Sequence, residues 1–192
     1  MTEDRRTQIV DAAHRLVQRS GIESISVRSV AREAGIGAST LRHYFPTQAD
    51  LFEVLIEPAV ERMLPDLRIH DQRVAPRRRL TECLMQYFPA EFLRPDTVSL
   101  WFASYAVAVG PTATEHGTRT LERMAQVSRG RIERWLTQVE DEDALLVDRR
   151  TAMLQVMTVL DGICVQLITP GTIFTPDDVR PMVERAVSAV VR

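Results

Sequence analysis

SVRSVAREAGIGASTLRHYFPTQADL, residues 26–51, contains two short helical patterns separated by a glycine turn. Ser26 is placed to cap the first helix, whose apolar face is Val27, Val30, Ala31 and Ala34. Gly35-Ile36-Gly37 interrupts that pattern, and a second helix runs from Ala38 to Tyr44 or Phe45 before Pro46 stops it. The spacing is that of a helix-turn-helix. Ala31 is small where the second helix must come close, and Gly35 can adopt the left-handed turn conformation. Ile36, Leu41 and Phe45 would hold the pair against a preceding helix. Thr40, Arg42, His43 and Tyr44 are then exposed together. An arginine can fork onto guanine, and Tyr and Thr can donate to phosphate. An ordinary helical hairpin with a polar outer face has the same spacing, so geometry leaves both readings open.

The helical period continues on either side. Ile9, Ala12, Ala13, Leu16 and Val17 lie on one face of a helix that Gly21 would end. Thr47 can cap a helix carrying Leu51, Val54, Leu55, Val60 and Met63, with Pro58 a point of kinking. The polar stretch from Pro65 to Pro76 reads as a loop. Leu80, Cys83, Leu84, Tyr87 and Phe88 predict a helix ending near Pro89. Asp96 can cap another, with Leu100, Trp101, Phe102, Tyr105 and Val109. Leu121 to Val139 reads as a long helix, and Leu145 to Ile168 as one apolar nearly all round, which must be covered on several sides. A last helix carries Val179, Met182, Val183, Ala186, Val187, Val190 and Val191, with Asp178 as its cap and Pro181 in its first turn. No alternating strand is convincing. The expectation is an all-α chain of about nine helices, divided into residues 1–46 and 47–192.

Composition is that of an ordinary globular protein: 192 residues, 45% hydrophobic, 26% charged, formal net charge −2. All 24 cationic residues are Arg. The net charge alone would not suggest a nucleic-acid partner. Cys83 and Cys164 are too few and too far apart for a disulfide scaffold or a cysteine zinc site. The N-terminal segment is polar and lacks the apolar core of a signal peptide. The most apolar stretch, Thr151 to Ile168, contains Gln155, Asp161 and Gln166, which a membrane centre would penalise. A soluble, cytoplasmic protein is expected. His14, His43, His70 and His116 lie far apart, with no HExxH, GxSxG or phosphate loop. Glu140 to Asp143 lacks the glycine and alternating ligands of a calcium loop. No enzyme activity, cofactor or metal is expected. Asp161, in the apolar stretch, can be a buried acid in a ligand site or a structural hydrogen-bonding group at a helix interface.

Residues 5–55 resemble the N-terminal DNA-binding domain of the TetR family of bacterial transcriptional regulators. The resemblance is carried by Ile9, Ala12-Ala13, Gly21, Val30-Ala31, Ala34-Gly35, Thr40-Leu41, Tyr44-Phe45 and Leu51. It implies DNA contacts from Arg28 to a base or phosphate, from Thr40 and Tyr44 to the backbone, and from Arg42 to a base, where the family often has Tyr. Gln48 stands where Lys is frequent, which keeps a phosphate hydrogen bond but releases no counterion. Gly37 replaces the usual Ser or Thr cap. Ser26, Ala38, Ser39 and His43 complete the candidate set.

The resemblance also implies a C-terminal ligand-binding and dimerisation domain, a homodimer, and double-stranded palindromic DNA as partner. It implies a ligand-responsive regulator, read as a repressor released by a small-molecule effector. An activator with the same DNA-binding domain, or a helical enzyme or carrier, stays open as an alternative. Candidate effector contacts are Phe88, Trp101, Phe102, Tyr105, Met124 and Met157, which suit an apolar or aromatic molecule. The last two long helices are expected to form a four-helix bundle with their copies, with Val159 and Val187 on the shared face.

Overall fold

The computed structural model describes residues 2–20, 26–90, 92–93, 102, 105–106, 108–111 and 113–192. Its helices are α1 Thr2–Ser20, α2 Val27–Glu33, α3 Ala38–Tyr44, α4 Gln48–Met63, α5 Pro76–Met85, α6 Glu115–Glu140, α7 Arg149–Ile168 and α8 Val179–Val190. The turn expected at Gly21 and the cap at Asp96 fall outside the described residues. So does most of the helix expected after Asp96, of which residues 102, 105–106 and 108–109 are helical.

Sequence-local signals set most boundaries. Ser26 caps α2: its Oγ accepts from Ser29 N (3.1 Å), and Ser29 Oγ accepts from Ser26 N (2.9 Å). Thr47 and Asp50 make the same reciprocal box at the start of α4. Gly35 is left-handed, with φ +65. Other boundaries differ from the sequence reading. α5 ends at Met85, so Tyr87 and Phe88 lie in the turn beyond it. α7 begins at Arg149, where the Asp148 carboxylate caps it through Thr151 N (3.0 Å). Leu145 instead makes an isolated bridge with Val191, which pins the end of α8. Asp178 does not cap α8 with its side chain; its carboxylate turns back to Thr175 N (2.8 Å) and closes a 3-10 turn, Pro176–Asp178.

Buried side chains fall into two clusters. Ile9, Ala13, Leu16, Val30, Ala31, Leu41, Phe45, Leu51 and Leu55 form the first, from α1 to the first half of α4. The second joins α5 to α8 through Leu80, Leu84, Trp135, Leu136, Val156, Leu160, Val183 and Val187. Val60, one turn further along α4, packs on this second cluster. α4 therefore belongs to both, and it packs on α6. The loop from Pro65 to Pro76 is tied down by Arg79, which is buried in α5. Its guanidinium donates to the carbonyls of Ile69 and Val74 and pairs with Glu142.

His14 of α1 is half-buried against α4, and its Nε2 has no hydrogen-bond partner among the described residues. Burial, then the charge of Arg62, holds its pKa below the ordinary 6.5, with Asp11 opposing. The unfolded chain therefore takes up this proton first. Stability falls as pH drops from 6.5 towards the lower folded value. Denaturation midpoints at pH 7.5 and 5.5 should show a drop that His14→Phe reduces; equal slopes for the two proteins would contradict this.

Candidate nucleic-acid interface

α3 lies across the end of α2, and backbone bonds fix the turn between them. Ile36 N donates to Ala31 O (2.9 Å), Gly35 N to Arg32 O (3.2 Å), and Leu41 N to Gly37 O (3.0 Å). Gly37 begins α3 without a side-chain cap, as its lack of a hydroxyl requires. Leu41 and Phe45 are buried on one side of the helix, which aims the opposite side outward. Ser39, Thr40, Arg42 and His43 are exposed there, while Ala38 and Tyr44 are half-buried. The His43 and Tyr44 rings meet edge to face at 5.2 Å.

Arg28, in the first turn of α2, and Arg32 are exposed as well. Among the described residues, none forms an ion pair with Arg28, Arg32 or Arg42. Glu33, the one acid between Ser26 and Gln48, is already held by Arg19 (2.7 Å) and Arg15 (3.6 Å) of α1. That pairing, with the Arg19 hydrogen bond its main cause, keeps its carboxyl below the usual range. The three outward guanidiniums thus keep their charge and hydrogen-bonding capacity for an external anion. Ser26 behaves differently: its hydroxyl is committed to the α2 cap. The Gln48 side chain lies outside the described residues. Arg6, which the sequence reading did not single out, stacks over the Phe45 ring at 5.1 Å and adds a cation beside α3. Nothing in the local pattern signals that contact, since it joins α1 to the far end of α3.

The candidate effector contacts are only partly gathered. Phe102 and Tyr105 stack, with ring centres 6.1 Å apart, and both are half-buried. Burial first, then the charges of Asp161 and Cys164, raises the Tyr105 phenol. Asp161 is exposed on α7, and partial burial raises its carboxyl. Phe88 is buried in the second core, 6.3 Å from Phe92, and Met157 packs half-buried on that core. Met124 is 40% exposed. Trp101 lies outside the described residues. Both thiols are buried, Cys83 pushed up to about 12 and Cys164 to about 11, so neither is reactive at neutral pH.

Comparison with known proteins adds two family matches. Residues 9–55 match the model for bacterial regulatory proteins of the tetR family. Residues 76–192 match the model of the C-terminal part of BetI-type transcriptional repressors. The chain belongs to the TetR family. The second match extends the likeness over a part of this TetR-family chain where the sequence reading found little beyond helix count. Curated relatives include the HTH-type transcriptional regulator PksA of Bacillus subtilis, 32% identical over 109 residues (55% of this chain, 52% of PksA). BetI of Agrobacterium fabrum is 34% identical over 110 residues (54% of this chain, 51% of BetI). The chain thus spans about half the length of the curated relatives it matches. Among solved structures, a TetR-family regulator from Rhodococcus sp. covers 100% of both chains with a TM-score of 0.59 at 20% identity. One from Haloarcula marismortui covers 99% of this chain and 100% of its own, with a TM-score of 0.56 at 18% identity. At that identity the likeness concerns the fold alone.

Proposed function

We propose that the protein is a ligand-responsive DNA-binding transcriptional regulator, a repressor that binds a palindromic operator as a homodimer. It works in the cytoplasm and is released from DNA by a small molecule. The observation that carries this is the outward face of α3, where Thr40 and Arg42 stand exposed on a helix locked from behind by Leu41 and Phe45. The repressor-type C-terminal match supports repression over activation. Residues 1–46 are assigned to DNA binding and 47–192 to effector binding and dimerisation. Two copies of α3 about one DNA turn apart, or a multiple of it, would enter successive major grooves.

Arg42 is assigned to a base edge, with Arg28 to a base or phosphate. Thr40, Tyr44 and Gln48 are assigned to the phosphate backbone, and Ala38, Ser39 and His43 to close approach. Ser26 holds α2 in place for them. On the duplex that the wild-type protein selects from a random pool, Arg42→Ala should cost about 1–3 kcal/mol per half-site and relax one base position. Thr40→Ala should weaken all sequences alike. An Arg42→Ala protein with unchanged affinity and base preference would contradict the assignment.

Two copies are favoured by α7. Its mean hydropathy is 1.6 over a membrane-length window, yet only 28% of that window is buried inside one chain. Leu154 (54%) and Val165 (44%) are exposed on it, and Met182 of α8 is also open. A second copy of this chain would cover that face and form the four-helix bundle. Val187, expected on the shared face from sequence, is fully buried within the protomer, and Val159 packs on the same core.

The effector site is assigned to Phe88, Trp101, Phe102, Tyr105, Met124 and Met157. The half-buried Phe102–Tyr105 stack favours an apolar or aromatic molecule. Structural neighbours have been solved with choline (Saccharomonospora viridis; 19% identity, TM-score 0.58) and with proflavin (EbrR; 22%, 0.54). Both compounds are therefore useful probes. Whichever releases DNA should change tryptophan emission, and Trp101→Phe should remove most of that change. A compound that releases DNA with emission unaltered, and binds Trp101→Ala as well as wild type, would put the site elsewhere.

A further inference from the structure

We propose that Asp161 of each copy pairs with the partner's Arg185, and that these ion pairs select a second copy of this chain over other apolar helical partners. The pairing rests on the two-copy reading above. Asp161 is exposed on α7 and Arg185 on α8. Among the described residues, neither side chain makes a hydrogen bond or an ion pair, and the two do not meet within one chain. The groups that feel the charge of Asp161 are the Tyr105 phenol and the Cys164 thiol, neither of them a cation. Glu184, next to Arg185, is held by Arg180 (3.7 Å).

Both charges sit near the centre of an outward helix face. On α7, Leu154, Thr158, Asp161, Gly162 and Val165 recur at helical spacing and are all exposed. On α8, Met182, Arg185 and Ala189 do the same. Leu146 N donates to Val190 O (2.8 Å), so the end of α8 lies beside the start of α7 and the two helices run antiparallel. Arg185 is in the middle of its stripe, and Asp161 is close to the middle of its own. A two-fold axis through the contact passes near the centre of both stripes. It therefore brings Asp161 towards the partner's Arg185 and, by the same symmetry, Arg185 towards the partner's Asp161. Gly162 permits a close approach: a Cβ there would meet nothing within 4 Å in its own chain. Glycine is unfavourable inside a helix, and no described atom of the protomer calls for it here.

An apolar contact alone does not choose its partner, since many exposed helices could cover Leu154 and Val165. Charges inside the contact do choose. The carboxylate and the guanidinium both lose water there, and each is compensated only when an opposite charge meets it. A helix that covered this face without a cation opposite Asp161 would leave the carboxylate desolvated and alone, which counts against that partner. The partner's Arg185 supplies the cation, with a planar fork of donors that suits a carboxylate.

The test is charge reversal in the full-length chain, read by sedimentation. Asp161→Arg sets like charges together at both contacts and should weaken association by about a hundredfold or more, and Arg185→Asp should do the same. An equimolar mixture of the two variants should dimerise again, because each contact then joins a cation to an acid. The double variant Asp161→Arg/Arg185→Asp should dimerise with itself and refuse the wild-type chain, which native mass spectrometry of differently labelled chains would read. Both positions are exposed in the protomer, so helical circular dichroism should not change. If a reversal does unfold the chain, Asp161→Asn and Arg185→Gln decide the matter: their effects on the dimer constant should fall short of additivity by about tenfold. Single reversals that dimerise like wild type, a mixture that stays monomeric, or additive neutral variants would overturn the pairing and leave the two-copy reading standing. A wild-type chain that is monomeric at micromolar concentration would overturn that reading, and the pairing with it.

Discussion

Leu154→Glu is expected to split the dimer and remove sequence-specific DNA binding while each chain stays folded. Leu154 is 54% exposed on α7, with Val165 (44%) three turns further along the same face. The substitution places a carboxylate from each copy in the proposed apolar contact, where it must be desolvated. The expected cost is about 3 kcal/mol or more, over a hundredfold in association. DNA affinity should fall further, because a single recognition helix loses the second half-site. Sedimentation at micromolar concentration should show dimers for wild type and monomers for the variant, with equal helical circular dichroism. Val187→Glu should behave differently and unfold the protomer, because its side chain is fully buried between α5, α7 and α8. If wild type sediments as a monomer, or Leu154→Glu still dimerises, the exposed face of α7 is not the contact.

Arg79→Ala is expected to lower stability by about 3 kcal/mol. The substitution strips the donors from the carbonyls of Ile69 and Val74 in a buried place and leaves Glu142 without its cation. Glu142 is held below its ordinary range chiefly by the hydrogen bond from Arg79. Its contribution is present above the unfolded carboxyl value and is lost as pH falls through the lower folded value. Urea midpoints at pH 7 should separate wild type from Arg79→Ala, and the gap should narrow in acid. A variant within about 0.5 kcal/mol of wild type, the usual range for surface changes, would mean that water replaces the guanidinium.

Those two residues illustrate what the sequence could and could not reveal. α2 and α3 were legible because their signals are local: the cap at Ser26, the left-handed Gly35 and the stop at Pro46 each act within a few residues. The apolar spacing of Leu41 and Phe45 likewise fixed which face of α3 points outward. Arg79 was illegible. It sits in a run of three arginines that looks solvated, and only folding brings Ile69, Val74 and Glu142 around it. Val187 was misread for a related reason. A valine stripe says that a helix face is buried, but not whether its own chain or a second copy buries it. The end of α5 was missed because Tyr87 and Phe88 keep the apolar pattern past Met85 while serving the core from a turn. Asp178 had an alternative partner in Thr175 that cap statistics do not register.

The effector region was the least legible part. Its candidate aromatics are the same residue types that build cores, and Phe88 does serve as core. The DNA face was more legible, because the exposed Arg28 and Arg32 of α2 and Arg42 of α3 form no ion pair among the described residues and so have few structural uses.

Selection of duplexes from a random pool tests the central claim most directly. The account predicts enrichment of a two-fold symmetric sequence whose half-site centres lie about 34 Å apart, or a multiple of that. Affinity for it should fall steeply with salt, and Arg42→Ala should relax one position in each half. A pool that emerges without enrichment, or a salt-insensitive interaction indifferent to Arg42, would contradict the assignment of this chain as a DNA-reading regulator.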